Sequence, residues 1–386
     1  MFEIMDAQPQ EAVIKVIGVG GCGGNAVDHM IEQGVQGVEF VAINTDAQAL
    51  KRNKARSQLQ IGSGITKGLG AGAMPDIGRA AAEEDRERIA DMVRGANMVF
   101  ITAGMGGGTG TGAAPVVAQV ARELDILTVA VVTKPFAHEG KRMRLAQEGI
   151  EALTEYVDSL IIVPNEKLMT VLGEDTTLLE AFRAANTVLQ GAVAGIAEVI
   201  NVPGLVNVDF ADVRTLMSEN GMAMMGSATA AGKDRAAAAA ERAMSSPLLE
   251  EVNLAGARGV LVNISSSSNL TMKEYKQITN SVQFAVEDAT VIVGSVFDEN
   301  MGDDLRVTIV ATGLGSPLSS KQPKPKLVYG QRTGTHDEPE DPGVNYNELD
   351  MPTVMRSNRR REAVEALKQS GVDTLDIPSF LRKQAD

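Results

Sequence analysis

Residues 104–112 read GMGGGTGTG, six glycines in nine positions, with hydroxyls at Thr109 and Thr111. Without side chains in the way, backbone N–H groups can approach an anion closely, and the two threonines add donors. An all-apolar run over 98–103 (MVFITA) precedes this loop, and a mostly apolar helical pattern over 113–125 follows it. Strand, glycine loop and helix start in that order form a cradle for phosphate oxygens, because first-turn N–H groups and the helix dipole both favour negative charge. A flexible linker would lack such tight apolar flanks. The loop is not a P-loop, which requires Ser or Thr after a Gly-Lys pair; Gly140-Lys141 and Gly232-Lys233 are followed by Arg142 and Asp234.

Two more glycine turns precede the cradle. A strand pattern over 13–17 runs into GVGGCGGN (18–25) and a helix from Asn25. That is the GxGxxG opening of a βαβ unit, shared by many nucleotide folds. A dinucleotide enzyme would end its second strand in an acid for the ribose, whereas residues 38–43 end in Asn44-Thr45-Asp46, a partial fit. The loop GLGAGA (68–73) leads into a charged helix over 75–95. Three such turns exceed the needs of one pyrophosphate and point to a triphosphate at the carboxyl ends of parallel strands. Apolar runs at 127–132 and 160–163 supply further buried strands, the second stopped by Pro164.

The expected fold is α/β, a Rossmann-like parallel-sheet domain joined by a long central helix to a smaller α+β domain. Residues 178–200 are apolar around most of the helix girth, as in a buried helix. The smaller domain is read as a small-residue region over 221–232, an alanine-rich helix over 233–245 and strands at 260–265, 290–297 and 305–312. The expected boundaries are a flexible segment 1–12, a nucleotide domain 13–177, the helix 178–203, the second domain 204–315, a disordered tether 316–372 and a terminal peptide 373–386. Few apolar residues and many Pro, Lys, Gln and acidic residues put the tether below what ordering requires. At its end Leu375, Ile377, Phe380 and Leu381, with Arg382 behind them, form a short docking peptide.

Composition narrows the function. A net charge of −14 argues against nucleic acid and anionic membranes as partners. Cys22, the single cysteine, excludes an internal disulfide and a cysteine-based zinc site, and His29, His138 and His336 lack metal-ligand spacing. There is neither a run of about 18 apolar residues nor a basic stretch followed by an apolar core, so a cytoplasmic protein without membrane insertion is expected.

Together GMGGGTGTG, GVGGCGGN, NVDFADV (207–213) and the terminal LDIPSFLRKQAD resemble the FtsZ family of bacterial cell-division GTPases, relatives of tubulin. The resemblance runs through 11–315 and resumes in the tail. It implies a GTPase that polymerises head to tail and forms a ring at mid-cell beneath the inner membrane, recruiting membrane-tethering division proteins through the terminal peptide. GTP and GDP would be the ligands, with Mg²⁺ held mainly through the phosphates rather than by protein groups, and a monovalent cation as a further candidate. The nucleotide loops carry over to Gly20, Gly21 and Asn25; to Asn44 and Asp46; to Ala71 and Gly72; and to Gly104, Gly106, Gly107, Gly108, Thr109 and Gly110. Glu139 and Arg142 would contact the ribose and Phe182 and Asn186 the guanine, with Thr133, Pro135 and Asn165 as further nucleotide contacts. Asn207, Asp209 and Asp212 would be catalytic. Two departures stand out. Arg142 follows Glu139 by three residues where the family has four, although both spacings share a helix face. Ser265 to Ser268 replace a usual Thr-Ala-Gly.

An amide such as Asn186 complements the guanine edge, and Phe182 one turn earlier can stack on the base. A helix from Asn186 to Ile200 rises about 21 Å at ~1.5 Å per residue, so Asp209 and Asp212 are out of reach of the nucleotide in their own chain. If catalytic, they act on a second copy. The bland alternative for them is a capped turn opening the next helix. Two other classes remain at this level: an NAD-dependent oxidoreductase, resting on GxGxxG alone, and a nucleotide-binding scaffold without catalysis.

Overall fold

A computed structural model describes residues 12–314 except 174–175, 203, 207, 220, 250–253 and 287–288. The N-terminal segment before residue 12, Asn207, the tether and the terminal peptide with Leu375, Ile377, Phe380, Leu381 and Arg382 therefore lie outside the described residues. The chain begins β1 (Ile14–Val19), α1 (Gly20–Glu32), β2 (Glu39–Asn44), α2 (Ala47–Arg52), β3 (Ser57–Gln60), α3 (Ser63–Thr66), α4 (Pro75–Glu84) and α5 (Arg86–Val93). There follow β4 (Met98–Gly104), α6 (Thr109–Glu123), β5 (Leu127–Lys134), α7 (Gly140–Thr154), β6 (Ser159–Pro164), α8 (Asn165–Leu172) and α9 (Leu178–Asn201). The last third comprises β7 (Gly204–Val206), α10 (Phe210–Met217), β8 (Gly221–Ala230), α11 (Arg235–Met244), β9 (Gly259–Ser266), α12 (Met272–Ala285), β10 (Thr290–Phe297) and β11 (Leu305–Leu314).

The strands form one sheet in the order β3-β2-β1-β4-β5-β6-β8-β11-β9-β10-β7. The first six are mutually parallel, so their carboxyl ends share one edge. β6 then pairs in parallel with β8 through Ser159↔Gly221, Leu160↔Met222 and Ile161↔Ala223. The two expected domains thus share a sheet and lie within one compact unit. β11 is antiparallel to both β8 and β9, as expected of an α+β half.

Burial explains the layering. β1, β4, β5 and β6 are apolar on both faces and are covered on both. On one face lies α9, whose Leu189, Val193, Ile196 and Val199 share a core with Val16, Phe100 and Val129. The other face is covered by α6 and α5, whose Val117, Val120 and Ile89 pack with Ile17, Ile101 and Val132. The alanines of α11 make a third core with β9, β11 and α12.

Four sequence readings change. The helices expected from Asn25 and from residue 113 begin earlier, at Gly20 and Thr109, so parts of two glycine loops are helical first turns. The helix expected over 75–95 is split at Asp85, whose carboxylate is drawn out to accept Gly62 N at 2.7 Å and Arg88 Nη1 at 2.8 Å. The small-residue region at 221–230 is strand β8; its small side chains let the alanine-lined α11 lie against it. Finally, α9 is not apolar and covered along its whole length: its first turns leave Leu179 62% and Phe182 46% exposed.

Candidate functional site

At the carboxyl edge of the parallel strands, β1 passes directly into α1 and β4 reaches α6 through only Met105 to Gly108. Gly20 has φ +75°, and a Cβ there would stand 2.8 Å from Gly110 N, so the two loops touch without side chains between them. Gly106, at φ +91°, approaches Arg142 O and Pro135 Cγ equally closely. Gly21 and Gly107 behave differently: a Cβ on either would meet nothing within 4 Å. These two glycines face open space in the cradle, which is room for a ligand. Thr111 Oγ1 accepts Gly106 N at 2.8 Å and so pins the loop.

The second and third loops join this edge. Thr45, fully buried, shares a hydroxyl contact with Thr109 Oγ1 at 2.6 Å, which ties the end of β2 to the start of α6. Sequence reasoning passed over Thr45; its only signal was its place between Asn44 and Asp46. Gly70 N donates to Thr45 O, and a Cβ on Gly108 would stand 2.9 Å from Ala71 Cβ. Asp46 is committed as the N-cap of α2, accepting Gln48 N and Ala49 N. A cleft of about 170 Å³ includes Gly20, Gly21, Asn25 and Asn44 in its wall, with Asp28 and Arg52 at the α2 side.

The base and ribose candidates gather along the same edge, one and two strands away. Gly104 is in register with Thr133, and Lys134 with Pro164, the residue before Asn165. Cys22, an exposed free thiol, lies 3.7 Å from Thr133 Oγ1. Phe182 meets Phe136 edge to face, centroids 6.2 Å apart. Glu139 accepts Phe136 N and pairs with Arg142, whose Nε also donates to Gly106 O at 3.4 Å. The three-residue spacing therefore brings Arg142 onto both Glu139 and the phosphate loop. Asn186 is half-buried, four residues after Phe182. Asn165 is 7% exposed, and its Oδ1 has no protein partner. A buried amide oxygen left alone is costly, so this one fits a donor supplied by a ligand such as a purine base.

Asp209 and Asp212 are elsewhere. Val208 N donates to Val199 O near the end of α9, thirteen residues after Asn186, a rise of about 20 Å. A second ruler agrees. Arg214 of α10 pairs with Asp125 at 3.3 Å, just past the far end of α6, and that helix measures about 21 Å from Thr109 to Glu123. Asp209 caps α10 by accepting Ala211 N at 3.3 Å, so the capped-turn reading describes its local role; Asp212 is exposed on the first turn. At this far end Glu198 of α9 bonds Arg306 at 2.9 Å and Ser265 at 3.5 Å, its carboxyl pushed up by burial despite the arginine. No cluster of metal-ligating side chains occurs among the described residues.

The sequence matches the model of the Tubulin/FtsZ family, GTPase domain, over residues 13–173, and that of the FtsZ family, C-terminal domain, over 221–315. It is 58% identical to the cell division protein FtsZ of Pseudomonas aeruginosa across the whole of both chains. With that of Coxiella burnetii it shares 56% identity over 99% of each. Among solved structures, an empty FtsZ dimer of M. jannaschii superposes with a TM-score of 0.76 at 44% identity, covering 80% of this chain and 89% of that one. A GTPγS-bound CetZ2 protofilament from Haloferax volcanii, at 22% identity, covers 79% of this chain and 94% of its own with a TM-score of 0.67, and shares the fold.

Proposed function

The chain belongs to the FtsZ family of tubulin-like GTPases, and from that membership we propose a head-to-tail polymer whose hydrolytic site is completed only where two copies meet. It is a GTP-dependent cytoskeletal GTPase of cell division, converting GTP to GDP and phosphate. The triphosphate is held by amides and hydroxyls around Gly20, Gly21, Gly106 to Gly110 and Thr109, with Asn44, Asp46, Ala71, Gly72 and Gly104 at the rim. Thr133, Pro135, Glu139 and Arg142 position the ribose. Phe182 and Asn186 receive the base, with Asn165 as a further nucleotide contact and Asn25 in the first nucleotide loop.

The observation that carries the shared site is the roughly 20 Å between Asn186 and the loop bearing Asp209 and Asp212. A carboxylate acts on water over about 3 Å, so these two serve the γ-phosphate of a neighbour. They and Asn207 orient the attacking water, and the cradle amides stabilise charge on the phosphoryl oxygens as the bond to the β-phosphate breaks. Mg²⁺, bound mainly through the phosphates, would neutralise charge there. Such a contact joins unlike surfaces and propagates as a filament. The terminal peptide around Leu375, Ile377, Phe380, Leu381 and Arg382 docks on membrane-tethering proteins, which places the filament at mid-cell. Removal of residues 375–386 should spare phosphate release and abolish that recruitment.

Phosphate release from GTP with Mg²⁺, followed across protein concentrations, tests the shared site. A concentration threshold below which specific activity vanishes is expected. Activity per chain independent of concentration would mean that each copy hydrolyses alone.

A further inference from the structure

Arg235, at the start of α11, is 6% exposed, and all three nitrogens of its guanidinium donate hydrogen bonds. Nε donates to Glu274 Oε1 at 2.7 Å, Nη1 to Asp303 O at 2.9 Å, and Nη2 to Asn269 Oδ1 at 2.8 Å. Glu274 in turn accepts Thr271 N and Thr271 Oγ1, closing the capping box of α12. Asn269 Nδ2 and Ser267 Oγ both donate to Gly302 O. One side chain therefore ties residues 267–271, the first turn of α12 and residues 302–303 to α11. A buried arginine with satisfied donors is often only part of the fold, so its location has to decide.

That location is the end of the molecule bearing Asp209 and Asp212. Val296 of β10 is in register with Ser265 on one side and Gly204 on the other, so the segment after β9 begins about 10 Å, two strand spacings, from the strand that leads to Asp209. Glu198, on the last turns of α9, bonds Ser265 and Arg306 and fixes the same edge to the helix. On this edge α12 exposes Met272 (64%), Lys273 and Lys276. The rim of the nucleotide cradle exposes Leu69 (81%), Met74 (53%) and Asp76. Exposed apolar groups are thus available on both ends, and each end carries both signs of charge, Lys273, Lys276, Asp303 and Asp304 on one and Lys67, Asp76 and Arg79 on the other, so ion pairs can form across a head-to-tail contact.

We propose that Arg235 is a positioning residue for assembly-dependent hydrolysis: it holds residues 267–271, the first turn of α12 and residues 302–303 as a rigid ledge on which the cradle rim of a second copy docks. The proposal rests on the shared-site reading above. The planar fork of arginine is essential to it, since lysine supplies one point charge and cannot span Glu274, Asn269 and Asp303 together. Two serines add to the network: Ser267 Oγ bonds Gly302 O within the ledge, and Ser265 Oγ accepts from Arg306 beside it.

The test uses the full chain with Arg235→Lys and, separately, Asn269→Ala, which alters an exposed residue and leaves the buried ion pair in place. Phosphate release is measured across protein concentrations, GTP affinity below the threshold, and thermal unfolding alongside. The threshold should rise about tenfold in Arg235→Lys and about threefold in Asn269→Ala, as expected for lost charge-assisted bonds. GTP affinity, and specific activity far above the threshold, should stay within about twofold of the unaltered chain. If Arg235→Lys does not fold, Asn269→Ala decides alone. An unmoved threshold in the folded variants, or a loss of GTP affinity in step with it, overturns the ledge. The absence of any threshold in the unaltered chain overturns the shared site instead.

Discussion

Replacement of Asp212 by alanine should separate binding from turnover. Asp212 is the cleaner target, because Asp209 also caps α10 and its loss would cost about 1 kcal/mol of stability. About 20 Å from the nucleotide of its own chain, a unit charge exerts about 0.8 kcal/mol at an effective dielectric constant of ~20. Salt with a screening length of ~10 Å reduces that to about 0.1 kcal/mol, so GTP affinity should change by no more than about 1.2-fold. Turnover should fall by about 10²–10⁴, the usual contribution of a group that positions or deprotonates a nucleophile. A mixing assay adds a second reading. With the unaltered chain held below its own threshold, an excess of Asp212→Ala should restore phosphate release per unaltered chain, because the variant still supplies a GTP-loaded head. A tenfold loss of GTP affinity in the variant, full turnover without the carboxylate, or no gain on mixing would each refute the geometric reasoning.

Three further perturbations follow from the structure. Gly107→Ala should fold normally, since its Cβ meets nothing within 4 Å, yet weaken GTP binding about tenfold or more; Gly106→Ala, at φ +91° and 2.6 Å from Arg142 O, should instead lower the melting temperature. The hydrogen bond from Arg235 holds the Glu274 carboxyl down from 4.5 to about 2, so the stability it contributes is present above pH 4.5 and lost as pH falls toward 2. Glu274→Gln should therefore be destabilised at neutral pH by denaturant titration, with the gap to the unaltered chain closing across that acid window. Arg306→Ala leaves Glu198 buried and uncompensated, at a cost of about 3 kcal/mol at pH 8. Burial already raises the Glu198 carboxyl, so the folded state binds more protons than the unfolded one. The loss should then shrink as the pH falls from neutral into the acid range and the carboxyl takes up its proton, earlier than an ordinary glutamate would.

The glycine loops were legible because glycine spacing states a backbone requirement directly. Residues 104–112 and 18–25 fall at the carboxyl ends of β4 and β1, as the flanking apolar runs imply. The base and ribose candidates rest on family resemblance, because Asn165 of α8 and the pair Phe182 and Asn186 of α9 lie on elements that no local pattern joins to each other or to the glycine loops. What stayed hidden has physical reasons. Residues 221–230 lack the β-branched alternation that marks a strand, since that strand was shaped by the alanine helix packed on it. The break at Asp85 lies in a stretch whose helical periodicity is otherwise sound, and it depends on the distant Gly62 N. The Arg235 network joins residues 39 and 68 apart in sequence, so only the folded chain brings it together.

The long helix supplies the functional argument because it is buried against both halves of the sheet. Its early turns carry Phe182 and Asn186 beside the cradle, and its last turns carry Glu198 against Ser265 and Arg306. With Leu189, Val193, Ile196 and Val199 packed in the core between these ends, the helix cannot bend to bring Asp209 back to the nucleotide without opening that core. Intramolecular hydrolysis by these carboxylates would thus require partial unfolding, whereas a second copy supplies the missing half by simple translation along the axis. If the two remote carboxylates act as proposed, a chain carrying them and the cradle on such a strut has a reason to polymerise that is independent of any particular surface contact. The contacts on the Asp209 end, held by Arg235 and Glu198, then set how tightly each added copy is held and not whether the chemistry needs one.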